Sequence, residues 1–133
     1  MIAADTNVIV RFLVCDDEKQ AMAVREMLKK AEKKRDCVFI SLLVLLETIW
    51  VLESAYNKTK FEIITAINNI RQMPVFEFET DEVVERLISE GEQYKADLAD
   101  ILIANSSEAS GCENGITFDK AAAKLPFFEM LEY

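Results

Sequence analysis

Short apolar runs alternate along the chain with longer segments of helical periodicity. The runs at residues 1–4, 37–40, 74–78 and 115–118 have the length and composition of buried strands. Because a helical segment separates each run from the next, the strands are expected to be parallel and joined by right-handed crossovers. The pattern predicts an α/β fold, a three-layer sandwich with a central parallel sheet of about four or five strands.

Residues that cap helices well precede several of the helical segments. Three acids open a helix predicted over about residues 16–35, where their charge suits the positive end of the helix dipole. Thr59 and Glu62 have the spacing of a capping box, so a helix is predicted to begin at residue 60. Thr80 and Asp97 are predicted to precede two further helices. The caps thus indicate where four helices begin.

The length of 133 residues predicts a single domain over residues 1–133. Only 3 Gly and 2 Pro are present, and no linker or repeat interrupts the pattern. The longest apolar stretch, residues 38–52, contains Glu47 and is too short to span a bilayer, so it is interpreted as a strand followed by a helix. Trp50 and the phenylalanines are expected in the core, and no membrane contact is expected.

The chain contains no histidine, which excludes Ser-His-Asp and Cys-His nucleophiles as well as His-ligated zinc. Any acid–base or metal chemistry must therefore rest on carboxylates. Cys15, Cys37 and Cys112 lie far apart and form neither a disulfide framework nor a CxxC pair. Reduced thiols and an N-terminus without a basic segment or apolar signal core predict a cytoplasmic protein.

Four acids stand in apolar surroundings: Asp5, Glu47, Asp100 and Asp119. Asp5 and Asp119 directly follow predicted strands, so both are expected at the carboxyl edge of the sheet, where open α/β sheets bind ligands. Glu47 and Asp100 lie in apolar helical segments and are expected to point inward, where each charge needs a partner.

Four carboxylates at one sheet edge would repel one another, because two unit charges about 5 Å apart cost roughly 3 kcal/mol at an effective dielectric constant near 20. Arg11, Lys95 or Lys120 could compensate part of this charge. Hard oxygen ligands without His or Cys are also what Mg²⁺ or Mn²⁺ prefers. Because a divalent ion can activate water for attack on a phosphodiester, carboxylates alone suffice for a metal-dependent nuclease.

Each acid also has a structural interpretation. Asp5 could cap the helix that follows it, and Asp119 could cap the short helical segment after it. Glu47 could form a buried ion pair with Arg11. Asp97 favours a helix cap over a metal ligand. Purely structural roles for all four key acids at once would require several coincidences, so the nuclease hypothesis is preferred.

Four sequence blocks stand in a specific order along nearly the whole chain. They cover residues 5–11, 41–52, 97–104 and 117–125 and include Asp5-Thr6-Asn7, Glu47, Asp97-Leu-Ala-Asp100 and Thr117-Phe-Asp119. Together they resemble the PIN domain, and within that superfamily the VapC-type toxins of toxin–antitoxin pairs. The resemblance implies a PIN-like fold and a Mg²⁺- or Mn²⁺-dependent endoribonuclease.

The resemblance also implies a role for each matching residue. Asp5, Glu47, Asp100 and Asp119 match the family's catalytic acids, with Asp5 and Asp100 as the principal metal ligands. Glu47 would position a water at the metal or help to deprotonate it, and Asp119 would complete the site directly or through water. Polar neighbours would hold the ligands in orientation by hydrogen bonds. These supporting positions are Thr6, Asn7, Asp97 and Thr117.

The partners implied by the resemblance are an RNA substrate, a second copy of the chain in a homodimer, and a small antitoxin with a basic C-terminal segment. With 15 Lys+Arg and 24 Asp+Glu the net charge is −9, which fits a basic partner and disfavours nonspecific coating of nucleic acid. Residues 29–35, here called the basic patch, hold five of the 15 cations. They form either a solvated helix end or a surface that meets RNA phosphates.

Two other functions fit part of the pattern. A phosphotransfer domain also has an Asp after its first strand, but Asp5-Thr6-Asn7 lacks the Asp-x-Asp nucleophile pair. The second alternative is a PIN-fold binding module that acts through a protein partner with little nuclease activity. The complete set of four acids argues against such a degenerate site.

Overall fold

The computed structural model describes residues 1–133, which divide into two compact units, Met1–Glu79 (unit 1) and Thr80–Tyr133 (unit 2). None of the helices is both long and apolar enough to cross a membrane. The strands are β1 (Ile2–Ala3), β2 (Val38–Ile40), β3 (Phe76–Phe78), β4 (Gly115–Thr117) and β5 (Phe128–Met130). The helices are α1 (Thr6–Val14), α2 (Glu18–Lys33), α3 (Leu42–Ser54), α4 (Lys60–Arg71), α5 (Asp81–Gln93) and α6 (Leu98–Ala109), with a 3₁₀ helix at Ala122–Lys124.

Unit 1 contains a parallel three-stranded sheet in the order β1-β2-β3. Val38 in β2 aligns with Ile2 in β1 and with Phe76 in β3, which sets the register across the sheet. Helix α1 packs against α2 and α3, and α4 packs against α3 and β3. The core is aliphatic and includes the fully buried residues Val38, Ile40, Ile49, Ile63 and Ile67.

The predicted capping residues begin two helices of unit 1. The Asp17 carboxylate accepts a hydrogen bond from the backbone N–H of Gln20 at 3.0 Å and caps α2. Thr59 and Glu62 form both hydrogen bonds of a capping box at the start of α4, at 2.9 and 3.1 Å. Helix α2 ends at Lys33, slightly before the predicted end, because Arg35 adopts a left-handed φ of 54°. The apolar stretch at residues 38–52 forms β2 and α3, as predicted.

Unit 2 consists of the packed helices α5 and α6 and a second parallel sheet formed by β4 and β5. Gly115, in β4, pairs with Phe128 in β5. A Cβ atom at Gly115 would lie 2.5 Å from the ring of Phe127, so this close approach requires glycine. The fully buried core side chains include Leu87, Leu98, Ile101 and Leu125.

The predicted α/β fold with parallel strands is confirmed, but its five strands are divided between two sheets rather than gathered in one. Strand β5 was not predicted from the sequence. The backbone N–H of Ile2 donates to Cys37 O at 3.1 Å in unit 1, and the backbone N–H of Gly115 donates to Phe127 O at 2.9 Å in unit 2. These strand hydrogen bonds are therefore made within each unit. The strands are two or three residues long, which leaves few backbone groups for further pairing. The single domain over residues 1–133 stays a prediction.

The expected burial of the aromatic residues is wrong at three positions. Trp50 is 65% exposed, Phe61 73% and Phe118 61%. Helix α3 is apolar on nearly every face, and a surface helix can bury only the face that meets its neighbours. The buried side of α3 is formed by Leu45, Thr48, Ile49 and Leu52, so Trp50 remains at the surface.

Candidate functional site

Three carboxylates meet in unit 2 where α6 begins and β4 ends. Asp97 occupies the N-cap position of α6, Asp100 lies in its first turn, and Asp119 lies just beyond β4. One carboxylate oxygen from each of the three residues lies within 4.8 Å of the others. We call Asp97, Asp100 and Asp119 the acidic cluster.

The local structure fixes these residues and leaves several of their oxygens available. Asp97 has the extended backbone of an N-cap, but its side chain makes no capping hydrogen bond. The Asp119 Oδ1 atom accepts from the backbone N–H of Ala121 at 2.8 Å. The backbone N–H of Asp119 donates to the Thr117 hydroxyl at 3.0 Å, so Thr117 orients the turn that presents Asp119.

The acidic cluster concentrates negative charge. Burial raises the pKa of the Asp100 carboxyl above its usual range, and repulsion from Asp119 and then from Asp97 adds to the shift. The positive end of the α6 dipole favours the charged form of Asp100 but does not reverse this shift. No Lys or Arg side chain forms an ion pair with the three carboxylates, so a bound cation would relieve their repulsion.

The donor atoms of the acidic cluster suit a divalent metal. Carboxylate oxygens without His or Cys are the hard ligands that Mg²⁺ and Mn²⁺ prefer. Oxygens that bind one Mg²⁺ at about 2.1 Å lie at most about 4.2 Å apart. The observed spacing within 4.8 Å is close to that limit, so a small side-chain movement would let the three residues share one ion.

Asp5 and Glu47 belong to unit 1. Asp5 is the N-cap of α1, and its Oδ1 atom accepts from the backbone N–H of Val8 at 3.2 Å. The hydroxyl of the buried Thr6 donates a hydrogen bond to Glu47 Oε1 on α3, the helix against which α1 packs. Thr6 therefore restrains the Glu47 side chain beside the first turn of α1. Asn7 is exposed in that turn.

One of the structural interpretations of the acids is correct, since Asp5 caps α1. Asp119 does not cap the 3₁₀ helix, whose N-cap is Ala121, but it accepts a backbone hydrogen bond in the turn before that helix. Each of these hydrogen bonds uses one carboxylate oxygen and leaves the other free for a ligand. A cap and a metal ligand are therefore compatible roles for the same residue.

The proposed ion pair between Glu47 and Arg11 is wrong. The Arg11 guanidinium donates to Gln20 at 2.6 Å, to Tyr56 at 3.3 Å and to Asp16 at 3.5 Å. The expectation that Glu47 points inward is also wrong, since its side chain is exposed. Glu47 needs no cationic partner because water solvates it.

Asp97 differs from its predicted role as a helix cap. It occupies the N-cap position, yet its side chain makes no capping bond and lies beside Asp100 and Asp119 instead. The available signal was the spacing of three residues between Asp97 and Asp100, which places both carboxylates on one side of the first helical turn. Asp100 is half-buried, in line with its expected apolar surroundings.

A model of the PIN domain family matches residues 2–128, which is nearly the whole chain and parts of both units. A search of curated proteins finds no match. PIN domains are generally metal-dependent nucleases, and they typically bind divalent metals. An acidic cluster of hard oxygen ligands agrees with that chemistry.

Proposed function

Because this chain belongs to the PIN domain family, we propose that it is a divalent-metal-dependent endoribonuclease and the toxin of a VapBC-type toxin–antitoxin pair. The observation that carries the proposal is the acidic cluster, in which three carboxylates approach one another without a basic partner. Because the chain has no histidine, metal binding and proton transfer near neutral pH are assigned to carboxylates.

The proposed metal ligands in unit 2 are Asp100 and Asp119, joined by Asp97, while the role of Asp5 as a metal ligand stays a prediction from the family resemblance. A bound Mg²⁺ or Mn²⁺ would supply positive charge to the scissile phosphate and lower the pKa of water. Asp119 can take part while it caps its turn, because only its Oδ1 atom accepts a backbone hydrogen bond. Asp97 makes no capping bond and keeps its carboxylate available.

From the family resemblance, Glu47 of unit 1 is the proposed proton acceptor. The Thr6 hydroxyl donates to Oε1 of Glu47, which leaves Oε2 to accept a proton from the attacking water. The same hydrogen bond limits the rotamers of an exposed side chain and so lowers the entropic cost of placing it. Thr6 is thus a positioning residue for Glu47, whereas the Thr117 hydroxyl accepts from the backbone N–H of Asp119 and orients the turn that carries it.

The proposed partners follow from charge and exposed apolar surface. Unit 2 has 4 basic and 12 acidic residues, a net charge of 4 − 12 = −8, so a basic C-terminal segment of an antitoxin is complementary to it. On α3, Leu43 is 79% exposed and Trp50 is 65% exposed, which is the kind of surface that a homodimer would cover. We place the reaction in the cytoplasm because all three cysteines are free.

The direct test is incubation of the purified protein, freed of antitoxin, with total cellular RNA in the presence and absence of Mg²⁺, followed by mapping of the cut ends. We expect metal-dependent cleavage that Asp100→Asn abolishes. The exposed acid Glu113 provides a control with the same change of charge, and Glu113→Gln should cleave like the wild type.

A protein that binds RNA or an antitoxin but cuts nothing at any metal concentration would overturn the nuclease proposal in favour of a PIN-fold binding module. Cleavage that persists in Asp100→Asn would overturn the assignment of the acidic cluster. Growth arrest on expression, relieved by Asp5→Asn, tests the toxin role separately.

A further inference from the structure

Two aromatic rings of unit 2 form an exposed pair, and one of them belongs to the residue that precedes Asp119 of the acidic cluster. Phe118 is 61% exposed, and Tyr133 is fully exposed. Their ring centroids lie 5.5 Å apart with an interplanar angle of 80°. In such an edge-to-face contact each ring keeps at least one face that its partner does not cover, and a further planar group can stack there.

The backbone places this pair directly beside a proposed metal ligand. Phe118 precedes Asp119, whose carboxylate belongs to the acidic cluster, and consecutive Cα atoms lie about 3.8 Å apart. The backbone N–H of Leu131 donates to Thr117 O at 2.9 Å, which extends the β4–β5 ladder and brings the segment ending in Tyr133 alongside Phe118. The position of Phe118 is therefore fixed by the same turn that fixes Asp119.

The net charge of this unit does not favour substrate binding. Its net charge of −8 repels phosphates, and a metal at the acidic cluster would cancel only part of it. Base stacking on an aromatic ring does not depend on attraction of phosphates, and it is the usual way in which proteins hold unpaired bases. An exposed ring one residue from a proposed metal ligand offers a means of holding RNA near the cluster that does not depend on net charge.

We propose that Phe118, supported edge-to-face by Tyr133, stacks an unpaired base of the RNA next to the cleaved phosphate. This inference rests on the proposed endoribonuclease function and adds to it a residue that holds the RNA at the cleavage point. A base inside a duplex is stacked on its neighbours and offers no free face, so duplex RNA gains nothing from Phe118.

The expected effect follows from the usual strength of base–aromatic stacking. Loss of one such contact corresponds to a roughly 5- to 150-fold weaker affinity. Phe118→Ala should weaken binding of single-stranded RNA by about tenfold. It should raise KM more than it lowers kcat, because stacking stabilises bound substrate and transition state alike.

The experiment uses the full chain with Asp5→Asn, so that RNA stays intact, and a short single-stranded RNA that contains the fluorescent base 2-aminopurine. Affinity is measured by anisotropy, and stacking is measured by quenching of 2-aminopurine. Phe118→Ala and Phe118→Leu should lose affinity and quenching, whereas Phe118→Trp should keep both. The matched control is Phe61→Ala, which removes a 73% exposed phenylalanine of α4 in unit 1 and should match the parent.

Equal affinity of Phe118→Ala and its parent would overturn the inference, and so would full quenching in Phe118→Leu, because leucine has no aromatic face. Equal loss of affinity for a duplex of the same sequence would also overturn it. Thermal melting of Phe118→Leu confirms that the fold is intact. RNA that is bound and quenched but never cut by the chain with Asp5 restored would overturn the nuclease proposal alone. RNA that Phe118→Ala cuts with unchanged KM would overturn the stacking inference alone.

Discussion

The strongest test of the acidic cluster is the neutralisation of Asp100. Asp100→Asn keeps the size of the side chain and removes one of three charges whose oxygens lie within 4.8 Å of one another. Asp100 makes no ion pair that the change would break, so relief of repulsion should dominate. We therefore expect the metal-free variant to be more stable than the wild type.

The size of the effect follows from the spacing. Two unit charges 4.8 Å apart repel by about 1 kcal/mol in water and by about 3.5 kcal/mol at an effective dielectric constant of 20. Because Asp97 and Asp119 are exposed, the lower part of this range applies to each of the two pairs that Asp100 makes. A gain of about 1 to 3 kcal/mol in the free energy of unfolding corresponds to a rise in Tm of about 3 to 10 °C for a chain of this size.

The assay is thermal melting of wild type, Asp100→Asn and the control Glu113→Gln, each in EDTA and in increasing MgCl₂ or MnCl₂. In EDTA, Asp100→Asn should melt above the wild type, while Glu113→Gln should stay within about 0.5 kcal/mol of it. Added metal should stabilise the wild type, by about 1.4 kcal/mol at ten times Kd, and leave Asp100→Asn nearly unchanged. A lower Tm for Asp100→Asn in EDTA, or an equal response of both proteins to metal, would refute the electrostatic reasoning.

Three further predictions address pH, Glu47 and the basic patch. The folded-state pKa of Asp100 is raised. Without metal, the stability advantage of Asp100→Asn over the wild type should therefore be full above that pKa and vanish as the pH falls below the unfolded value near 3.8. A stability advantage that does not change with pH would contradict this prediction. Glu47→Gln should abolish RNA cleavage, and because it keeps an acceptor for the Thr6 hydroxyl, its Tm should be equal to that of the wild type or slightly higher. A decrease of about 3 to 5 kcal/mol in the free energy of unfolding, which is typical of a broken buried ion pair, would instead show a structural role. Changing three residues of the basic patch to Gln, namely Lys33, Lys34 and Arg35, should weaken RNA binding and leave metal affinity unchanged. It should also reduce the slope of log affinity against log salt concentration by up to about 2, whereas identical slopes would leave the patch as a solvated helix end.

Local chemistry explains why several elements could be predicted from the sequence. Thr59 and Glu62 are three residues apart and satisfy each other's backbone N–H groups, so the capping box needs no distant partner. Asp17 caps α2 for the same reason. The alternation of short apolar runs with helical segments predicts an α/β fold because crossover connections favour parallel strands.

The candidate residue types could also be predicted, because a chain without histidine leaves carboxylates for metal chemistry. The burial and the hydrogen-bond partners of these residues could not be predicted. Glu47 stands in an apolar stretch, yet it is exposed and bonded to Thr6, which is 41 positions away in the sequence. Whether an apolar helix face is buried depends on the elements that pack against it, and α3 has more apolar faces than neighbours to cover them.

What the sequence by itself determined is therefore the class of fold, the starts of the capped helices and the acids able to bind a metal, since these depend on composition and on neighbours within one or two turns. Only the tertiary structure decided that β4 pairs with β5 in a second sheet, that Arg11 bonds to Gln20 rather than to Glu47, and that Asp97 joins Asp100 and Asp119. Strand pairing, burial and charge repulsion act through space between groups far apart in the chain, so their outcome is set by packing and by no local pattern of residues.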